Sequence, residues 1–139
     1  MNSILLVDNE AAVCVGLQRT LQELGYRVEV AHTVESTLGS ISETRFGAIL
    51  VEFNLTSEWG AHPRTGGGIR LIGDLRKSGT TIPILKYTVM EGEMYESAAL
   101  NSGADDFVLK TTSISGLIWR LHAHIERNQC GFGVAQFRG

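Results

Sequence analysis

Two hydrophobic periodicities alternate along the chain, and this alternation restricts the fold more than any other feature of the sequence. Five short segments have the apolar character of β-strands: SILLVD, YRVEVA, AILVEF, IPILKYT and DFVLK. Each is followed by a segment in which apolar residues recur at helical spacing. Strict alternation of five strands with five helices predicts an α/β fold, in which helices cover both faces of a parallel sheet.

The predicted helices begin and end at recognisable residues. The first helix has one apolar stripe, formed by Val13, Leu17, Leu21 and Leu24. Thr33 is a candidate N-cap of the second helix, and glycines such as Gly25 and Gly79 are typical of helix ends. The last helix is predicted over SISGLIWRLHAHIERN, and residues 128–139 are predicted to form a C-terminal linker or a docked tail.

The composition is that of a soluble globular domain. The chain has 139 residues, of which 43% are hydrophobic and 19% charged, so it can bury a core within one domain. A net charge of −3 without a basic run argues against direct nucleic-acid binding by this domain. No apolar run reaches membrane length, and the first residues are too acidic for a signal peptide. We therefore expect a cytoplasmic protein that does not contact a membrane.

Polar side chains end four of the five predicted strands. Asp8 ends the first strand, Glu52 the third, Thr88 the fourth and Lys110 the fifth. The carboxyl ends of parallel strands meet at one edge of the sheet, where such folds bind ligands. Carboxylates suit a hard divalent cation, and a lysine beside them suits an anion such as a phosphoryl group. Any one of these residues could be an ordinary solvated strand end, but four compatible residues together indicate a functional site.

Four segments of the sequence resemble the receiver domain of response regulators in two-component signalling. They are ILLVDNE, AILVEFNL, PILKYT and GADDFVLK, and the resemblance covers residues 3–127. It implies a flavodoxin-like (CheY-like) sheet with strand order 2-1-3-4-5 and a receiver domain over residues 1–127. It also implies a signalling module rather than an enzyme, with a histidine kinase or another signalling protein as its partner. A homodimer through the face of the fourth helix, fifth strand and fifth helix is a further expectation.

The resemblance assigns a Mg²⁺ site to Asp8, Asn9, Glu52 and the backbone carbonyl of Asn54. Asn9 stands where the family has a second carboxylate, so one charged oxygen ligand is missing. Glu10 could compensate, but its place at the start of a helix more readily favours the helix dipole. We therefore expect Mg²⁺ binding to be weak or absent.

Glu52 takes the position of the family's phosphoacceptor aspartate. Its side chain is one methylene longer, so its carboxylate would reach the volume that a phosphoryl group occupies near Thr88 and Lys110. Because in-line attack tolerates only small errors in geometry, Glu52 should accept a phosphoryl group poorly. It could instead imitate the phosphorylated state through a permanent negative charge and an ion pair with Lys110. The alternative is a neutral replacement in a degenerate site.

The resemblance assigns roles to three positions in or directly after the last two strands, two of them in switching. Thr88 corresponds to the hydroxyl that follows a phosphoryl group, Phe107 to the switch aromatic and Lys110 to the phosphoryl-binding lysine. Val89 replaces a usual alanine and is expected to crowd the pocket into which Phe107 would swing. Thr111 replaces a usual cis-proline. We expect a trans peptide bond there, since a non-proline cis bond costs about 2.5–4 kcal/mol.

Two further features have no role in this assignment. Lys86 and Tyr87 are unusual in a strand covered on both faces, and we expect one of them to extend its polar end to an edge. The glycine-rich loop over residues 56–68 precedes a helix but lacks the Lys-Ser/Thr of a phosphate-binding P-loop.

Two functions are therefore open from the sequence. The first is an atypical receiver, or pseudo-receiver, which acts through protein–protein contacts independently of phosphorylation. The second is a conventional receiver, phosphorylated by a histidine kinase with Mg²⁺, that controls an output domain or a partner. Asn9, Glu52 and Thr111 favour the first.

Overall fold

The secondary structure alternates along the chain as predicted. A computed structural model describes residues 3–8, 11–52, 67–89 and 92–138. The strands are β1 (Ser3–Val7), β2 (Arg27–Ala31), β3 (Ala48–Val51), β4 (Ile84–Thr88) and β5 (Asp106–Leu109). The helices are α1 (Ala11–Glu23), α2 (Val34–Glu43), α3 (Gly67–Lys77), α4 (Glu93–Ser102) and α5 (Ile114–Arg138). Each predicted element is thus present, and most bounds agree within two residues.

The five strands form one sheet in the order β2-β1-β3-β4-β5, and every neighbouring pair is parallel. This confirms the predicted order 2-1-3-4-5. The order reverses between β1 and β3, which creates a crevice at the carboxyl ends of the strands. Backbone hydrogen bonds continue just past two of these ends, from Glu52 N to Val7 O at 2.8 Å and from Lys110 N to Thr88 O at 2.8 Å. The backbone of the residues that follow the strands is therefore fixed by the sheet.

Apolar side chains pack on both faces of the sheet. One face carries a cluster shared with α3 and α4, which includes Leu5, Ile49, Leu71, Leu75 and Ala99. The other face carries a cluster shared with α1 and α5, which includes Ile4, Leu50, Leu21, Leu117 and Leu121. Every residue of β1 and β3 is consequently buried, which explains why these strands, apart from Ser3, are apolar instead of alternating.

Local signals place the ends of several helices. The Thr33 hydroxyl accepts a hydrogen bond from the Ser36 backbone N–H at 3.0 Å, and the Ser36 hydroxyl accepts one from the Thr33 N–H at 3.1 Å. This reciprocal capping box confirms Thr33 as the N-cap of α2. Gly25 and Gly79 follow α1 and α3 with φ of 97° and 95°, a conformation that glycine adopts more readily than other residues.

Two helices differ from their predictions. The last predicted helix ends at Asn128, whereas α5 continues to Arg138, and residues 129–138 contain no proline that would interrupt a helix. The domain boundary at residue 127 and the linker or tail role of residues 128–139 stay predictions. In the α1 stripe, Leu21 is fully buried but Leu24 follows the helix and is 55% exposed. The stripe is therefore shorter than predicted, and the side chain of Val13 lies outside the described part.

Candidate functional site

Four polar residues from four strands lie at the carboxyl edge of the sheet. Asp8 follows β1, Glu52 follows β3, Thr88 ends β4 and Lys110 follows β5. The first three are buried, and the Lys110 side chain is 21% exposed. The structure therefore places these predicted site residues as the strand pattern indicated, whereas their roles stay predictions.

Glu52 and Lys110 form the ion pair that the sequence predicted. The Lys110 Nζ lies 3.5 Å from Glu52 Oε1, and the Glu52 side chain is only 2% exposed. The same ammonium lies 5.5 Å from the centroid of the Tyr87 ring, within the range of a cation–π interaction. Lys110 is thus held between a buried carboxylate and an aromatic ring.

Burial makes the charge of Glu52 depend on pH. Desolvation is the main cause that raises the pKa of Glu52 from 4.5 to about 7; Asp8 raises it further, and Lys110 partly opposes the change. A carboxyl group with this pKa is only partly ionised at neutral pH. The buried site therefore favours a charge that forms as the pH rises through neutrality over the permanent charge considered from the sequence.

Lys86 belongs to the same site, and the sequence analysis did not include it. Lys86 and Tyr87 are 5% and 6% exposed, so the prediction that one of them extends to an edge is wrong. Lys86 lies opposite Val51, the residue before Glu52. Burial and the neighbouring Lys110 lower the pKa of Lys86 to about 8, whereas Glu52 and Asp8 raise it. Its ammonium therefore interacts with both carboxylates of the site.

A glycine in α3 explains how a lysine is accommodated inside the fold. A Cβ placed on Gly68 would lie 2.9 Å from Lys86 Cε, 3.1 Å from Lys86 Nζ and 3.0 Å from Val51 Cγ1. The Lys86 stem therefore uses the space that any other residue at position 68 would fill. The sequence signal for this site was a charged residue within an apolar strand, two residues before Thr88 and on the same face.

The described donor atoms do not fit the Mg²⁺ ion that the family resemblance implies. Oε2 of Glu52 and Oδ2 of Asp8 are buried and accept no hydrogen bond from the described residues, so each of the two carboxyl groups has one oxygen that could serve as a ligand. However, the carboxylates of Asp8 and Glu52 already interact with the ammonium groups of Lys86 and Lys110. The described residues also contain no group of three or more acidic, histidine or cysteine side chains that could hold a metal. Asn9, Glu10, Asn54 and loop residues 53–66 lie outside the described residues, so the expectations for them stay predictions.

The switch positions lie on two neighbouring strands, Thr88 at the end of β4 and Phe107 in β5. Thr88 is buried, and Phe107 is partly buried against the core. Phe107 also lines a groove of about 430 Å³ together with Glu96 and Arg120. Val89 is 65% exposed and does not line this groove, and the expectation that it crowds the pocket into which Phe107 would swing stays a prediction.

The backbone after Lys110 agrees with the sequence expectation. No peptide bond in the ranges that the structure describes is cis, so Lys110 and Thr111 are joined by a trans bond, as expected. The turn is closed by a hydrogen bond from Thr112 N to Leu109 O at 2.9 Å. α5 begins at Ile114, shortly after this turn.

Sequence comparison identifies relatives of this chain. A family model described as "Response regulator receiver domain" matches residues 4–122. Response regulator MprA of Mycobacterium avium (strain 104) is 32% identical over 126 residues, which are 91% of this chain and 52% of that protein. Response regulator MprA of Mycobacterium tuberculosis (strain ATCC 25618 / H37Rv) is also 32% identical over 126 residues, 91% of this chain and 51% of that protein. The chain thus spans about half the length of these curated relatives.

Solved structures show the same architecture. A two-component response regulator from Clostridium difficile is 28% identical, with a TM-score of 0.76 over 91% of this chain and 98% of that one. A CheY-like receiver domain protein from Methanospirillum hungatei JF-1 shares the fold at 21% identity, with a TM-score of 0.77 over 94% of this chain and 98% of that one. Within the described ranges, no helix combines the length and apolar character needed to cross a membrane. Since the family match runs from β1 into α5 and includes all the strand ends that form the site, this chain belongs to the response regulator receiver domains.

Proposed function

We propose that this chain is an atypical receiver module, a pseudo-receiver, which signals through protein–protein contacts and not through phosphorylation. The contact between Glu52 and Lys110 carries this proposal. The Lys110 ammonium, which the resemblance assigns to phosphoryl binding, lies 3.5 Å from Glu52 Oε1. An internal carboxylate therefore takes the place that the phosphoryl oxygen of a modified side chain would occupy.

The environment of Glu52 also makes it a poor phosphoacceptor. Its side chain is 2% exposed, so a phosphodonor would have to displace the packing around the carboxylate. Its raised pKa, about 7, reduces the fraction of the nucleophilic carboxylate at neutral pH. The longer glutamate side chain additionally moves the reacting oxygen from the place where an aspartate would present it, and in-line transfer depends strongly on that alignment.

The partners follow from the receiver fold and are part of the proposal. A histidine kinase or another signalling protein would read the surface, with a homodimer through α4, β5 and α5 as one arrangement. On this face Arg120 Nη1 lies 3.1 Å from Asp106 Oδ2, so charged groups are available to a partner. We propose a cytoplasmic, non-enzymatic module that binds neither membranes nor nucleic acid.

Acetyl phosphate tests the proposal directly. Incubation with acetyl phosphate and Mg²⁺, followed by intact mass measurement, should show no phosphoryl adduct on the wild-type chain. The triple variant Asn9→Asp, Glu52→Asp, Lys86→Met should gain an adduct, because it restores the carboxylate pair and the shorter acceptor and removes the buried ammonium beside them. Glu52→Gln is the control for labelling elsewhere. A stoichiometric adduct on the wild type that is absent from Glu52→Gln would contradict the proposal.

The second candidate function is a conventional receiver, phosphorylated by a histidine kinase with Mg²⁺, that controls an output domain or a partner. Asp8, Thr88 and Lys110 favour it, because all three occupy the strand ends where the family has its site. The two relatives described above are also named response regulators. The same mass measurement separates the candidates, since only this one requires an adduct on the wild-type chain.

A further inference from the structure

Lys86 is a buried cation in the part of the fold where a divalent cation would have to bind. Only 5% of the residue is exposed, and Val51 and Gly68 lie beside its stem. The residue shares its face of β4 with Thr88, and its register partner immediately precedes Glu52. Lys86 therefore extends to the site from within a strand of the sheet. Lys110, in contrast, extends to it from the turn after β5.

The charges of the described site balance without a metal ion. Asp8 and Glu52 supply two carboxylates, and both interact electrostatically with Lys86. Lys110 pairs with Glu52 at 3.5 Å. Two lysine side chains thus face two carboxyl groups, so an entering divalent cation would compete with both ammonium groups for the same described carboxylates. Buried charges are tolerated only when they are compensated, and here the compensation is internal.

We propose that the Lys86 ammonium is the built-in counter-cation of Asp8 and Glu52 and that it excludes Mg²⁺ from this site. This inference rests on the proposed function, because a receiver that does not transfer a phosphoryl group has no need for the metal. It makes Lys86 the residue that determines whether the site is metal-dependent. Gly68 supports this arrangement by leaving room for the end of the Lys86 side chain.

Calorimetric titration with Mg²⁺ tests the role of Lys86. The wild-type chain should show weak or undetectable binding at millimolar Mg²⁺. Lys86→Met keeps a side chain of similar length and removes the charge, so Mg²⁺ affinity should increase about ten- to hundredfold. The melting temperature of this variant should also rise on addition of MgCl₂, whereas that of the wild type should not. Lys77→Met, at an exposed lysine in α3, is the matched control and should behave like the wild type.

An unchanged Mg²⁺ affinity in folded Lys86→Met overturns the inference. If this variant does not fold, Asn9→Asp decides, because it adds a carboxylate without altering the buried lysine. Because Lys86 is still present in Asn9→Asp, the Mg²⁺ affinity of this variant should increase less than about tenfold. A submillimolar dissociation constant for Mg²⁺ would show that the lysine does not exclude the metal. A phosphoryl adduct on the wild-type chain contradicts the proposed function, whereas these titrations address only the metal, so the two failures are distinguishable.

Discussion

At the scale of single residues, the Glu52–Lys110 pair joins a buried carboxylate to an ammonium that keeps some contact with solvent. The exposed fractions of the two side chains are 2% and 21%. An exposed pair contributes about 0–1 kcal/mol, whereas breaking a fully buried pair costs about 3–5 kcal/mol. The pair lies between these cases, and the raised pKa of Glu52 shows that Lys110 offsets only part of the cost of burying the carboxylate.

A double-mutant cycle should therefore give an intermediate coupling energy. We expect about 1–3 kcal/mol between Lys110→Met and Glu52→Gln in urea unfolding at pH 8, where Glu52 is mostly ionised. Lys110→Met alone should destabilise the chain because it leaves a buried carboxylate with less compensation. Coupling within error of zero would mean that the two side chains do not interact in solution, and the proposed function would then lose its physical basis.

The sequence could predict this pair but not the neighbouring Lys86. Glu52 and Lys110 follow apolar strands, and strand ends converge in a parallel sheet whatever the details of packing. The burial of Lys86 depends on Gly68 in another element, which no local pattern links to β4. Hydropathy alone favours exposure of a lysine, and for this reason the prediction placed the polar end of Lys86 or Tyr87 at an edge.

At the scale of elements, one arginine connects α3 to the strands β4 and β5. Arg76, near the end of α3, donates hydrogen bonds to the carbonyl oxygens of Gly103, Thr80 and Ile82 at 2.8–2.9 Å. It also pairs with Asp105 at 2.8 Å, and the same Asp105 oxygen accepts a hydrogen bond from Ile84 N at 2.9 Å. These contacts fix the segments that lead into β4 and β5, two strands that end at site residues.

Replacing Arg76 should destabilise the fold although it lies away from the site. Arg76→Met should lower the free energy of unfolding by about 2–4 kcal/mol, because three carbonyl groups and a carboxylate lose one shared donor group. Arg76→Lys should recover little of this loss, since an ammonium cannot reproduce the planar guanidinium contacts. Arg70→Met, at an exposed arginine of the same helix, should change stability by less than about 0.5 kcal/mol in the same denaturant titration. Equal effects of Arg70→Met and Arg76→Met would contradict this assignment.

Elements were predictable where their signals are local. Thr33 and Ser36 are three residues apart and form their capping box within one turn, so the start of α2 followed from the sequence. The contacts of Arg76 with Gly103 and Asp105 join residues that are 27 and 29 positions apart in the sequence. Its contacts with Thr80 and Ile82 are made to backbone carbonyl groups, which every residue type has. Such contacts exist only once the fold has formed, so the sequence did not indicate them.

At the scale of the whole molecule, two buried groups with opposite pKa shifts should shape the dependence of stability on pH. The pKa of Glu52 rises from 4.5 to about 7 on folding, so between these values the folded chain keeps a proton that the unfolded chain has released. Stability from this group is thus present below pH 4.5 and is lost as the pH rises through 7. The pKa of Lys86 falls from 10.5 to about 8, so between these values the unfolded chain binds more protons and stability rises with pH.

The combined contribution of Glu52 and Lys86 to the free energy of unfolding should be lowest between about pH 7 and pH 8. Each shift corresponds to about 3 kcal/mol. Denaturant titrations from acid to alkaline pH should show this minimum most clearly as differences between variants. Glu52→Gln should gain stability relative to the wild type as the pH rises from 4.5 to 7, whereas the relative gain of Lys86→Met should be largest below pH 8 and decline above it.

Differences between variants are the decisive quantity because titratable groups that do not interact with the replaced residue contribute equally to each chain and cancel. Glu43→Gln, at an exposed glutamate that ends α2, supplies the reference for losing one carboxylate without burial. It should show no rise in relative stability between pH 4.5 and pH 7. If Glu52→Gln follows Glu43→Gln over this range, Glu52 is accommodated in solution without a desolvation cost. The carboxylate would then be ionised throughout the neutral range, and the pH-dependent charge that the buried site implies would not exist.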